Sequence, residues 1–217
     1  MSLILNLETA TKNCSVALAK DGKTIACKEI AAQNFSHAEK LHVFIEEILS
    51  EANLQFSALD AIAVSQGPGS YTGLRIGVSA AKGLCYALNI PLIAVDTLEI
   101  LASQISIEKG LIVPMIDARR MEVYAAIFDK NHQKIRKTKA EILTVDSFSA
   151  WNETIYFVGD SSQKAKTILQ KENFIFVENV IYPSAKQMTK KSYTLFTNNH
   201  FEDVAYFEPF YLKDFFS

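Results

Sequence analysis

The stretch in which residue type and spacing point to chemistry is Ser65-Gln66-Gly67-Pro68-Gly69-Ser70-Tyr71-Thr72-Gly73-Leu74-Arg75-Ile76-Gly77. Five of the chain's eight glycines lie between Gly67 and Gly83. A glycine turn that opens a helix sets backbone N–H groups and a positive helix end beside any bound anion. The chemistry on offer is phosphate binding. It is not a Walker loop, because no Gly-Lys-Ser/Thr follows, and not a dinucleotide fingerprint, because Gly67, Gly69 and Gly73 are spaced one residue too long with Pro68 inside. Ser65 does not sit in a G-x-S-x-G elbow. A purely structural turn accounts for the glycines equally well.

Arg75 sits in the first turn of the helix that follows, where a cation opposes the helix dipole at a cost of a few tenths of a kcal/mol, roughly. That placement marks it as a residue set for a carboxylate or phosphate. Gly73, Gly77 and Ala81 recur every four residues, a groove of missing side chains that suits internal packing or the approach of another helix. Glycine inside a helix costs about 1 kcal/mol relative to alanine, so Gly77 and Gly83 imply a packing demand. His37 and His42 are five apart and therefore about 140° apart around a helix, poor joint metal ligands and better read as solvated or interface residues. His132 and His200 stand alone in polar surroundings.

The elements that must position these residues follow from periodicity. Leu3, Leu5 and Leu7 alternate as a first strand, and Cys14, Val16 and Leu18 repeat the pattern. Asp21-Gly22 turns that second strand into a third, Thr24–Ile30. Ser36 with Glu39 forms a capping box for a helix whose apolar face is Leu41, Phe44, Ile45, Ile48, Leu49 and Ala52. Leu59 to Ser65 reads as a buried strand, the glycine stretch leads into a helix to about Leu88, and Pro91 ends it. Leu92–Val95 is a strand, and Asp96 or Thr97 caps a third helix. The second half restarts the theme with strands at Leu111–Ile116, Glu122–Phe128, Ile135–Leu143 and Ile155–Val158, then a helix from Ser161 through Leu169. The fold class is α/β: two β-rich lobes of a duplicated β-β-β-α-β-α unit, at 1–103 and 104–217. The last residues are free to pack back on the first lobe.

With 217 residues, 49% hydrophobic and 21% charged, the bulk of the chain is not intrinsically disordered. No apolar run approaches the ~20 residues that span a bilayer, and no signal peptide is visible before Glu8. Three cysteines, Cys14, Cys27 and Cys85, without paired spacing suit a reducing cytoplasm and offer no zinc site. A net charge of −2 does not attract nucleic acid, and the basic patches Lys134/Arg136/Lys137/Lys139 and Lys186/Lys190/Lys191 read as solvated surface.

Four segments resemble one family, the TsaB (YeaZ) subunit of the bacterial machinery that makes threonylcarbamoyladenosine in tRNA. They are Glu8-Thr9-Ala10-Thr11, Ser36-His37-Ala38-Glu39, Ser65 to Arg75, and Asp117-Ala118-Arg119-Arg120-Met121-Glu122-Val123-Tyr124. The resemblance spans the whole chain and is specific mainly over residues 1–128. It implies the actin-like ATPase (ASKHA) fold and kinship with TsaD, which transfers the threonylcarbamoyl group from an adenylate to the adenosine next to the anticodon. TsaD carries a metal-binding His-x-x-x-His where this chain has Thr97 and Leu101, and an Asp where it has Lys12. Leucine ligates no metal. Neither Thr9-Ala10-Thr11 nor Asp117-Ala118-Arg119 holds the glycine that lets backbone approach a phosphate.

The resemblance thus implies a cytoplasmic, non-catalytic scaffold that dimerises with TsaD, with no catalytic residues, no metal and no firmly bound cofactor of its own. ATP and a metal are expected in the TsaD partner, the TsaE ATPase in the same machinery, tRNA only through the complex, and a homodimer when TsaD is absent. Glu8, Thr9, Thr11, Gly67, Gly69 and Thr72 are the degenerate phosphate-loop candidates. His37, Leu41, Ile45, Gly73, Arg75, Gly77 and Ala81 are the expected partner interface. The alternative is an active enzyme, an actin-like-fold ATPase or kinase using Glu8 and Asp117, or a glycoprotease-like peptidase; sustained ATP turnover would favour the former.

Overall fold

The computed structural model describes residues 1–31 and 37–212. Ser36 of the expected capping box lies outside them. The elements are β1 (Leu3–Glu8), β2 (Asn13–Lys20), β3 (Lys23–Ala31), α1 (His37–Glu51), β4 (Ala61–Gly67), α2 (Tyr71–Leu88), β5 (Leu92–Asp96) and α3 (Thr97–Ala102). They continue with β6 (Leu111–Asp117), β7 (Glu122–Phe128), β8 (Lys134–Ile142), β9 (Ile155–Val158), α4 (Ser162–Lys166), β10 (Phe174–Phe176) and α5 (Ala185–Thr197). The chain forms two compact units, the first from Met1–Thr97 with Pro183–Phe210, the second built on Leu98–Tyr182.

In the first unit the strand order is β3-β2-β1-β4-β5, with β1, β2 and β3 antiparallel and β4 and β5 parallel to β1. Asp21 and Gly22 both take positive φ, 48° and 75°, as the two-residue turn requires. Alternation sends Leu3, Leu5, Leu7, Cys14, Val16 and Leu18 to one face, where Leu41, Ile45 and Ile48 of α1 and Val78, Ala81 and Cys85 of α2 close the core. The opposite face is polar in part and takes α5. Ser192 Oγ donates to Asn6 Oδ1 at 2.7 Å, and the Ala185 N–H donates to Ser15 Oγ at 2.8 Å. Helix α2 stops at Asn89 (φ 54°), whose N–H returns to the Cys85 carbonyl, so the terminator is this left-handed cap and not Pro91.

The second sheet, β10-β9-β6-β7-β8, repeats the plan: β6, β7 and β8 antiparallel, β9 and β10 parallel to β6. This is the duplicated actin-like arrangement. Phe157 centres one face, edge-on to Phe148 and Phe174 and stacked on Phe176. Leu98, Leu101 and Ala102 of α3 fill the other face with Ile112, Ile116, Phe128 and Val158. That packing moves the division between units to Thr97/Leu98, ahead of the boundary expected at 103/104, and α5 places Pro183–Phe210 with the first unit. The helix expected from Ser161 through Leu169 is shorter, and Ser161 makes no side-chain cap. Among the described residues, no helix is long and apolar enough to cross a membrane.

Candidate functional site

In open α/β sheets ligands bind beyond the C-terminal ends of parallel strands. In the first unit those ends are Glu8 on β1 and Ser65 to Gly67 on β4. Glu8 is fully buried; its Oε1 accepts the Ala10 N–H at 2.6 Å. Its Oε2 and the Ser65 hydroxyl make no hydrogen bond of good geometry among the described residues, although the Ser65 hydroxyl is near enough to lower the carboxyl's pKa a little. Burial pushes the Glu8 carboxyl up to about 7, against the lowering effect of the Ala10 N–H.

The loop glycines are explained by the chain itself. A Cβ on Gly69 would fall onto the Ala10 carbonyl, one on Gly73 onto the Thr9 carbonyl, and one on Gly77 onto Thr9 Oγ1. A Cβ on Gly67, whose φ is +109°, would come within 2.9 Å of the Phe210 carbonyl. The N–H groups follow suit. Ser70 N–H donates to the Ala10 carbonyl at 2.7 Å, Gly67 N–H to Thr97 Oγ1 at 3.0 Å, and Gly73 N–H to Ser70 Oγ at 3.2 Å. Thr9 Oγ1 donates to the Gly73 carbonyl at 2.7 Å, and Phe210 N–H to the Gln66 carbonyl at 2.7 Å. Carbonyl oxygens of the first-strand turn thus lie against the loop where a phosphate would approach it, and a buried carboxyl lies behind them. The residues present do not fit a nucleotide phosphate. Glu8, Thr9, Thr11, Gly67 and Gly69 are brought together as expected, but as a self-packed turn; Thr72 is exposed on α2.

The expected interface is corrected more sharply. Leu41, Ile45 and Ala81 belong to the apolar core, and Gly73 and Gly77 press on Thr9. His37 is buried, its Nε2–H donating to the Thr11 carbonyl at 2.7 Å, and burial lowers its pKa. These side chains are consumed within the unit and cannot also form a surface. Arg75 is exposed, and its guanidinium stacks 4.1 Å from the Tyr71 ring centroid, which accounts for a cation in the first turn. Gly83 meets nothing within 4 Å, so the packing demand inferred for it is not made by the first unit's own described residues. His132 is not solitary either, since its Nε2–H donates to the Ile105 carbonyl at 2.9 Å. Thr97 and Leu101 are both fully buried, Thr97 holding the Gly67 N–H and Leu101 in the apolar core of the second unit. No group of three potential metal ligands occurs among the described residues.

The second unit has its own strand-end cluster, at β6 and β9. Asp160, next after Gly159, accepts the Asp117 N–H at 2.8 Å, and its carboxyl is pushed up to about 6, chiefly by burial. Lys164 Nζ donates to Asp117 Oδ1 at 2.5 Å, to the Arg120 carbonyl at 3.0 Å and to the Glu122 carbonyl at 2.8 Å. Sequence reasoning missed Asp160 and Lys164. The signal available was a Gly-Asp pair closing a parallel strand one turn before a lysine.

The sequence pattern of the family described as "TsaD: tRNA N6-adenosine threonylcarbamoyltransferase" matches residues 28–214. The chain belongs to that family. Within it the chain is of TsaB (YeaZ) type. It is 28% identical over 235 residues to the tRNA threonylcarbamoyladenosine biosynthesis protein TsaB of Escherichia coli K12, covering 97% of this chain and 94% of that one. The solved structure of YeaZ from Pseudomonas aeruginosa superposes with a TM-score of 0.83 at 27% identity, covering 98% of this chain and all of the other. A tRNA N6-adenosine threonylcarbamoyltransferase of Bacillus thuringiensis is 38% identical over 109 residues, only 43% of this chain and 32% of its own length. The TsaB-like match is thus end to end, whereas this transferase match is partial.

Proposed function

We propose that the chain takes part in tRNA threonylcarbamoyladenosine biosynthesis as the non-catalytic, activating partner of a TsaD transferase. TsaD moves the threonylcarbamoyl group from threonylcarbamoyl-adenylate to N6 of the adenosine beside the anticodon, and this chain dimerises with it. The observation that carries the reading is that Thr97 and Leu101, which the resemblance sets at TsaD's histidine positions, are both spent on internal structure, Thr97 on the Gly67 N–H and Leu101 in the apolar core of the second unit. The self-packed glycine loop supports the same reading. ATP and the metal then belong to TsaD, TsaE and tRNA join through the complex, and the chain pairs with itself when TsaD is absent. Neither the kinase nor the peptidase alternative has a specific observation in its favour.

The partner surface in this reading is the outer side of α1 and α2. Thr72, Ile76, Ser79, Gly83 and Tyr86 fall at alternating steps of four and three, a coiled-coil seam of mostly small residues. Tyr86 is 85% exposed and Val43 on α1 43%. Gly83→Leu tests it, because the added side chain meets open space in the isolated unit. Overpacking a close contact costs about 1–3 kcal/mol, a loss in TsaD affinity of roughly five- to hundredfold, with melting not lowered. Unchanged affinity would remove this face from the interface. Sustained ATP hydrolysis by the pure chain, or modified adenosine made without TsaD, would overturn the non-catalytic role.

A further inference from the structure

The tip of the β6–β7 hairpin does something that its backbone does not favour. Arg119 and Arg120 are consecutive residues with φ of 72° and 51°. Side chains with a Cβ are disfavoured in this left-handed region, which glycine or asparagine occupies far more readily. The conformation is held from beneath at several points. Asp117 Oδ1 accepts the Arg119 N–H at 2.8 Å, Lys164 Nζ donates to the Arg120 carbonyl, and Asp160 takes the Asp117 N–H. Asp117 and Asp160 are occupied by these bonds. Both arginines are exposed, and neither guanidinium makes an ion pair or hydrogen bond among the described residues. A backbone held in this way to present two unpaired guanidiniums is the kind of outlier that points to function.

We propose that Arg119 and Arg120 form a phosphate-contacting site for the sugar–phosphate backbone of RNA, engaged while the chain is part of its complex. Guanidinium forks match phosphate oxygens in pairs, which a lysine ammonium does not. A site of two charges suits a chain whose net charge of −2 gives no general attraction to RNA. The proposal rests on the reading of the chain as a tRNA-modification subunit and adds a direct RNA contact to it. Exposed Ile142 and Val145 lie in the segment that Leu143 N–H pins to the Met121 carbonyl, so the rival occupant is an acidic protein surface with apolar neighbours.

The test uses the complex with TsaD and measures tRNA affinity against salt. The variant is Arg119→Asn with Arg120→Asn, because asparagine tolerates the left-handed backbone and removes both charges. We expect melting at or above that of the parent, unchanged TsaD affinity, and tRNA binding weaker by about tenfold or more. The slope of log affinity on log salt should shrink by roughly 1.4–1.8, since each phosphate contact contributes about 0.7–0.9. Arg119→Lys with Arg120→Lys should retain most of that slope. Unchanged affinity and slope in the asparagine variant would overturn the proposal. Weakened TsaD or TsaE binding with the tRNA slope intact would overturn it in favour of the protein surface. A parent complex that binds no tRNA would instead sink the proposed function, a separate failure.

Discussion

Two glycines of α2 look alike in sequence and should respond oppositely to alanine. At Gly77 a Cβ would lie closer than 3.0 Å to Thr9 Oγ1, which itself donates to the Gly73 carbonyl at 2.7 Å. The threonine must move. Its buried hydrogen bond is then lost, at about 1–3 kcal/mol, and overpacking adds roughly 1–3 kcal/mol. Better helix propensity returns about 1 kcal/mol, leaving a destabilisation of roughly 1–5 kcal/mol. For a chain of this size each kcal/mol shifts melting by about 2–4 °C, so Gly77→Ala should melt lower by roughly 2–20 °C. Gly83 faces open space, and Gly83→Ala should melt higher by about 2–4 °C for its ~1 kcal/mol of propensity. Calorimetry of both variants, with Thr9→Ala and the Thr9→Ala/Gly77→Ala double variant, completes the cycle. In the double variant the clash is gone, so the two losses should fall short of additivity by more than ~1 kcal/mol. Strict additivity, or a Gly77→Ala protein as stable as Gly83→Ala, would refute the packing argument.

Three other outcomes follow from the buried groups. The Glu8 carboxyl is raised from 4.5 to about 7, so the folded state holds a proton that the unfolded state releases, and stability should fall as pH rises from about 4.5 to 7. Glu8→Gln keeps the acceptor for Ala10 N–H and mimics the protonated acid; it should remove that component and melt higher than the parent at pH 8, and a lower melting temperature there would count against a Glu8 carboxyl raised by burial. Thr97→Val leaves the buried Gly67 N–H without an acceptor and should cost about 1–3 kcal/mol in denaturant unfolding, whereas a cost near zero would show the loop to be held elsewhere. Lys164→Met removes three bonds at the base of the β6–β7 hairpin; amide exchange at Arg119 to Glu122 should speed up at least tenfold, and unchanged protection would mean the tip is not held by Lys164.

The sequence made most of the first unit readable because its signals are local. Strand alternation from Leu3 to Leu18 and the 3.6-residue rhythm of α1 depend on neighbours in the chain, and both appear as expected. What decides the candidate site does not. Gly77 and Gly83 are distinguished by Thr9, far away in sequence, and the glycine loop by carbonyls that any residue could have supplied. Thus the loop's composition suggested a ligand, while its geometry supplies the chain's own first turn. Helix α5 was not read as a helix because the face it buries includes Thr189 and Ser192, packed on a sheet face carrying Asn6 and Ser15. Apolar periodicity is blind to a polar contact of that kind. Leu41, Ile45 and Ala81, expected at an interface, lie in the core for a related reason: the clean apolar face of a helix marks its own core.

The interleaved first unit, which takes in Pro183–Phe210 after the whole of Leu98–Tyr182, also sets an order on biosynthesis. A ribosome adding roughly 5–20 residues per second spends on the order of ten seconds between finishing β5 and delivering α5. Throughout that interval Asn6 and Ser15 lack their α5 partners, and the Gln66 carbonyl waits for the Phe210 N–H. Nearly all of the second unit lies in the single stretch Leu98–Tyr182 and can close while the first stays open, the reverse of the usual N-terminal-first sequence. A nascent chain stalled before Pro183 should therefore be protease-resistant over Leu111–Val158 and sensitive over Leu3–Lys20, a vulnerability created by topology and not by weak packing.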